Sequence, residues 1–136
     1  MMDFDPSLQI LVVDDDRDVG NFICALLRTE FGRADYVADG ATALVKLQEG
    51  DYRLVISDWR MRPMDGHTLL KTIRADGRLR DIPFIMVTAQ ASRASVTAAT
   101  EAGVDAYVVK PFTTDNLKDE VAGALQRKRT RLEGAR

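Results

Sequence analysis

The sequence predicts an α/β fold, a five-stranded parallel sheet with five flanking helices, on three observations. Five short runs rich in Val, Ile and Leu recur along the chain, longer segments with helical spacing of apolar residues separate them, and Gly, Asp and Pro mark the joins. That alternation is the pattern of βα units, because a parallel sheet needs a crossover of helical length between successive strands.

The first run, Leu8 to Val13, is almost wholly apolar, as a strand buried on both faces requires. It stops at Asp14, Asp15 and Asp16, of which Asp16 or Asp18 is placed to cap the helix that follows. That helix repeats Val19, Phe22, Ile23, Leu26 and Leu27 at i, i+3, i+4 spacing. Ala34 to Ala38 reads as a second strand, and Asp39-Gly40 leads into a helix with Ala41, Leu44, Val45 and Gln48 on one face, ended by Glu49-Gly50-Asp51. Leu54 to Ser57 is the third strand, and Pro63 and Gly66 break regular structure in the loop from Asp58 to Gly66. A helix bearing Leu69, Leu70 and Ile73 comes next, then a fourth strand, Pro83 to Thr88. An Ala-rich helix from about Ser92 to Ala102 stops at Gly103, and Ala106 to Val109 is the fifth strand. The last helix starts at Thr113 or Thr114, buries Leu117, Val121, Ala124 and Leu125, and dissolves into a basic tail.

A length of 136 residues fits one domain, with a core over about 8–126 and a tail over 127–136. Five cations against Glu133 give that tail a charge of +4, leaving −6 on residues 1–126 of the overall −2. The tail reads either as a solvated helix end whose cations suit the C-terminal dipole or as a docking strip for an acidic or phosphate-bearing partner. No stretch approaches the ~18 apolar residues of a membrane span. A lone cysteine, Cys24, and the lack of a secretory leader make a reducing cytoplasm the expected compartment, with Cys24 a small buried apolar group. The acidic body argues against DNA binding.

In open α/β sheets ligands gather beyond the carboxyl ends of the strands. Here those ends are polar: Asp14, Asp15 and Asp16 after the first strand, Asp58 after the third, Thr88 closing the fourth and Lys110 after the fifth. Crowded carboxylates stay ionised only with a compensating cation, and an all-oxygen set suits a hard ion such as Mg²⁺. An aspartate beside Mg²⁺ and a lysine ammonium is a competent nucleophile toward phosphorus, since both neutralise the equatorial oxygens in the transition state. Thr88 is then placed to donate its hydroxyl to a phosphoryl oxygen and couple charge to loop movement. Each residue also has a plainer reading. Asp14 and Asp15 serve as helix-capping charges, Thr88 as a strand-end hydroxyl, Tyr107 as packing, Trp59 as a partly exposed aromatic beside the pocket, and His67 as a surface residue without a role.

Asp14-Asp15, Ile56-Ser57-Asp58-Trp59, Met64-Asp65-Gly66, Val87-Thr88-Ala89 and Lys110-Pro111-Phe112 resemble, in order and spacing, the motifs of response-regulator receiver domains. The stretches Ile56 to Trp59, Leu69 to Gly77 and Tyr107 to Thr113 are similar to the chemotaxis regulators of that family. The resemblance covers roughly residues 8–126 and implies a flavodoxin-like sheet of order 2-1-3-4-5. It implies that Asp58 is the phosphoacceptor, that Asp14, Asp15, Asp58 and the backbone carbonyl of Arg60 hold Mg²⁺, and that Lys110 contacts the phosphate. Thr88 would close onto the phosphate and Tyr107 would swing inward, altering the surface of the fourth helix, fifth strand and fifth helix. A cis Lys110-Pro111 peptide is also implied. The phosphodonor would be a sensor histidine kinase. The output would be a downstream protein, such as a flagellar motor switch component, because no effector domain follows.

Two positions depart from the chemotaxis pattern. Arg60 replaces a small amide and Gln90 a glutamate, both beside the route of attacking water, so dephosphorylation and the response to any phosphatase are expected to differ. The loop proline also falls one place late, at Pro63 after Arg62. Some chemotaxis-type members bind a cyclic dinucleotide through arginines, which gives the basic tail a candidate ligand. A stress or cell-cycle phosphorelay carrier shares all the pocket chemistry. In another class, a Mg²⁺-dependent aspartyl-phosphate phosphatase would use Asp14 and Asp16 as nucleophile and acid.

Overall fold

The computed structural model describes residues 5–134. Ten elements alternate: β1 (Gln9–Val13), α1 (Arg17–Glu30), β2 (Arg33–Val37), α2 (Gly40–Glu49), β3 (Leu54–Ser57), α3 (Gly66–Ala75), β4 (Phe84–Thr88), α4 (Arg93–Glu101), β5 (Ala106–Val109) and α5 (Thr114–Gly134). The strands form one parallel sheet of order β2-β1-β3-β4-β5. The expected order and the five flanking helices are both found, as the flavodoxin-like receiver fold requires.

Side chains alternate across each strand, and the central strands feed two cores. Ile10 and Val12 of β1, Ile56, Ile85, Val87 and Val108 pack with Ile23 and Leu27 of α1 and Leu117 and Val121 of α5. Leu11 and Val13, Val55, Phe84 and Met86 pack on the opposite face with Leu47 of α2 and Leu69, Leu70 and Ile73 of α3. Both sets are buried, which explains why the inner strands read as continuous apolar runs instead of an alternating pattern. Cys24 is fully buried in the first core, and burial pushes its thiol up to about 11.

Helix faces differ from the sequence reading in two places. In α1 the buried positions are Gly20, Ile23, Cys24 and Leu27, and Phe22 is 52% exposed. In α2 they are Gly40, Ala43 and Leu47, and Val45 is 56% exposed. The physical reason is the same in both. A glycine occupies a core-facing position, and a stripe drawn through apolar side chains skips it and settles on the neighbouring face.

The last helix also departs from expectation, continuing through Gly134 instead of dissolving near residue 126. Arg127 Nη2 donates to the Asp105 carbonyl (3.0 Å) and Lys128 Nζ to the Asp81 carbonyl (2.5 Å), so these two cations tie the helix to neighbouring loops. The docking-strip reading of the other tail arginines, Arg129, Arg131 and Arg136, falls on side chains outside the described residues. Among the described residues, no helix is long and apolar enough to cross a membrane.

Candidate functional site at the carboxyl ends of the strands

Backbone hydrogen bonds extend the sheet one residue past β1, β3 and β5 and fix the site residues. Asp14 N–H donates to the Val37 carbonyl (3.2 Å), Asp58 N–H to Val13 (3.0 Å) and Lys110 N–H to Thr88 (2.8 Å). Thus residues far apart in sequence converge because the β1–β3 and β4–β5 registers run without slip, Val13 opposite Ser57 and Thr88 opposite Val109.

At this rim the Lys110 ammonium bridges two carboxylates, 2.9 Å from Asp14 Oδ2 and 3.1 Å from Asp58 Oδ2. Asp14 is 1% exposed, and its other oxygen accepts from Asp16 N–H (2.9 Å). Burial pushes the Asp14 carboxyl up, the hydrogen bonds from Lys110 and the Asp16 N–H oppose that rise, and the charge of Asp58 adds to it. For Lys110, burial pulls the ammonium down, but hydrogen bonds to Asp14 and Asp58 and their charges outweigh it, so the net direction is upward. Carboxylate oxygens of Asp14, Asp15 and Asp58 all lie within 4.8 Å of one another. Three acidic side chains around one ammonium leave an excess of negative charge, and their oxygen-only donors fit a hard divalent cation.

The remaining predicted residues surround the acceptor. A cavity of about 280 Å³ is lined by Asp58, Arg60, Thr88, Ala89, Gln90 and Lys110. Thr88 is buried, and its Oγ1 accepts from Gln90 N–H (3.3 Å). The Tyr107 hydroxyl donates to the Gln90 carbonyl (2.6 Å), so the aromatic of β5 grips the loop that follows Thr88. Arg60 and Gln90, the two departures from the chemotaxis pattern, meet each other. With the amide turned to satisfy both groups, the Gln90 oxygen accepts from Arg60 Nη2 (2.8 Å) and from Arg60 Nε. Trp59 N–H donates to Asp58 Oδ1 (2.6 Å), and its ring stacks on His67 at 5.0 Å between centroids. His67, expected to be an uninvolved surface residue, is therefore the platform for that ring. Both Lys110-Pro111 and Arg62-Pro63 are cis, the second without any forewarning in the sequence.

Asp16, a candidate acid in the phosphatase reading, is instead the N-cap of α1, accepting from Asp18 N–H (3.0 Å) and Val19 N–H (3.3 Å). Two contributors were missed. Gly66 donates its N–H to the Trp59 carbonyl (2.7 Å), and a Cβ there would lie 2.1 Å from the Asp58 carbonyl oxygen, so only glycine lets α3 start against the acceptor. Its signal lies in Met64-Asp65-Gly66, which the sequence offers as a family motif and as a break in regular structure, without marking the close approach to Asp58. Tyr36, whose hydroxyl donates to the Asp14 carbonyl (2.7 Å), gave no signal beyond an aromatic on a short strand.

A parallel sheet of this order, with three aspartates, a threonine and a lysine at its carboxyl rim, is the arrangement of a signalling receiver domain. The sequence profile of the response regulator receiver domain matches residues 10–122, and the chain belongs to that family. It is 41% identical over 122 residues to the chemotaxis protein CheY-3 of Vibrio cholerae, covering 89% of this chain and 94% of that one. It is 42% identical over 124 residues to the chemotaxis protein CheY of Pseudomonas aeruginosa, covering 88% and 98%. Among solved structures, the receiver domain of the Francisella response regulator 1452 superposes with a TM-score of 0.81 at 29% identity, covering 89% and 98%.

Proposed function

We propose that this chain is a phosphorylation switch of a two-component system, in which Asp58 accepts a phosphoryl group from a sensor histidine kinase in the cytoplasm. The observation that carries the reading is the Lys110 ammonium held between the Asp14 and Asp58 carboxylates, with Asp15 alongside. Asp14, Asp15, Asp58 and the Arg60 carbonyl would hold Mg²⁺, which when bound supplies positive charge to the phosphoryl oxygens. Asp58 Oδ attacks phosphorus, the O–P bond forming as the N–P bond of the kinase phosphohistidine breaks. Lys110 stays protonated and transfers its contact from the Asp58 carboxylate to a phosphoryl oxygen. Thr88 donates its hydroxyl to another, drawing the Gln90 loop inward and releasing or re-seating the Tyr107 hydroxyl that now bonds it. The α4–β5–α5 surface thereby changes shape for a downstream protein. The similarity to chemotaxis proteins favours a flagellar motor switch component as that partner.

Trp59, beside the acceptor, reports binding. Its fluorescence is expected to change on adding Mg²⁺ and again on adding beryllium fluoride, and the second change is expected to vanish in Asp58→Asn. An equal beryllium fluoride response in both chains would overturn Asp58 as the acceptor.

The Arg60–Gln90 contact spans the cavity that holds Asp58, and we assign it the role of slowing water attack on the aspartyl phosphate. Arg60→Asn is expected to shorten the phosphoryl lifetime by about threefold or more, roughly 0.6 kcal/mol on the barrier. Gln90→Glu, which places a carboxylate at position 90 while keeping the Arg60 contact, is expected to change it less. Lifetimes equal to the parent's in both variants remove the role.

A further inference from the structure

The turn after β1 carries two of the three acidic side chains, yet they are held very differently. Asp14 is fixed from several sides: its N–H by Val37, one carboxylate oxygen by Asp16 N–H and the other by Lys110. The Asp15 carboxylate is exposed and makes no hydrogen bond or ion pair among the described residues. It is nevertheless within 4.8 Å of the oxygens of Asp14 and Asp58. Its aim is set by the backbone, above all by the peptide plane joining Asp14 to Asp15, since tilting that plane swings the Asp15 Cα–Cβ bond. Among the described residues, the one long-range hydrogen bond on that carbonyl comes from Tyr36 Oη (2.7 Å).

We propose that Tyr36 is a positioning residue for the cation end of the site, holding the Asp14–Asp15 peptide so that the Asp15 carboxylate stays within reach of a divalent ion. The inference rests on the Mg²⁺ reading given above. Tyr36 lies beside Val12 in the β1–β2 register and packs against the α1 side of the sheet. Its ring runs across α1 where Gly20 sits. A Cβ at Gly20 would lie 2.3 Å from Tyr36 Cε1 and 2.4 Å from Cδ1. A buried glycine inside a helix is otherwise unfavourable, and here it provides the slot that lets the phenol reach the Asp14 carbonyl. Hydrogen-bond partners behind metal ligands commonly govern affinity without touching the ion.

The test is a Mg²⁺ titration followed by Trp59 fluorescence in the parent, Tyr36→Phe and Gly20→Ala, each with a urea melt in metal-free buffer to establish that it is folded. Phenylalanine fills the same slot, so packing survives and only the hydroxyl is lost. The Mg²⁺ dissociation constant of Tyr36→Phe is expected to rise about tenfold. Gly20→Ala keeps the hydroxyl but displaces the ring, and its constant is expected to move in the same direction. In an Asp15→Asn background, adding Tyr36→Phe is expected to shift the constant by less than about twofold, because the two residues act through one another. A parent-like constant in either folded variant, or a full tenfold effect in the Asp15→Asn background, overturns the assignment while leaving the Mg²⁺ reading intact. A parent chain that binds no Mg²⁺ overturns both.

Discussion

An Asp58→Asn chain is expected to take up no phosphoryl group above background from a histidine kinase donor or from a small acyl phosphate, while remaining folded. The first half follows from the chemistry, because an amide is a poor nucleophile toward phosphorus and two of the neighbouring carboxylates are committed elsewhere. Asp14 is tied to Lys110, and Asp16 caps α1. The second half follows from the electrostatics. Breaking a buried ion pair is costly when one charge is left without a partner, but Lys110 keeps Asp14 at 2.9 Å. Removing the Asp58 charge also removes one of the influences that raise the Asp14 carboxyl. Urea midpoints in metal-free buffer are therefore expected to be equal to or above the parent's. A large loss of stability would mean that Asp58 is a structural ion-pair partner, and labelling that persists would place the acceptor elsewhere.

Gly66→Ala is expected to be the most damaging small change outside the charged residues. The new Cβ would sit 2.1 Å from the Asp58 carbonyl oxygen and 3.0 Å from Trp59 Cα, both backbone atoms that cannot rotate away. Helix α3 cannot retreat either, because Leu69, Leu70 and Ile73 are fully buried in the second core. Either the helix start or the acceptor must shift. Overpacking of this kind costs about 3 kcal/mol, and a displacement near 1 Å at a reacting group lowers rates about 10²-fold. A urea melt and a phosphotransfer time course measure the two effects. Gly77→Ala is the control, since nothing lies within 4 Å of a Cβ there, and it is expected to be neutral in both assays. Parent-like behaviour of Gly66→Ala would show that the contact relaxes without consequence.

Much of the candidate site was legible because its chemistry is concentrated at strand ends. Asp14, Asp58, Thr88 and Lys110 each follow or close an apolar run, and a parallel sheet brings such positions to one rim whatever the loops do. Features that depend on a side chain crossing between elements were not legible. The Arg60–Gln90 contact joins residues 30 positions apart through loops, and the bond from Tyr36 to the Asp14 carbonyl depends on the space left by a glycine on a third element. The misplaced faces of α1 and α2 have the same origin, since Gly20 and Gly40 face the core without adding an apolar side chain to the pattern.

What the amino-acid order determined by itself was the alternation of strands and helices, and the identity of the polar residues at each strand's carboxyl end. Local apolar periodicity and capping chemistry are properties of short segments. Tertiary structure decided how those residues are held: the ammonium shared by Asp14 and Asp58, the Tyr36 hydroxyl behind Asp15, and the arginine closed onto Gln90. Each depends on distances of about 3 Å between atoms on different elements, and such distances are set by strand register and helix packing together.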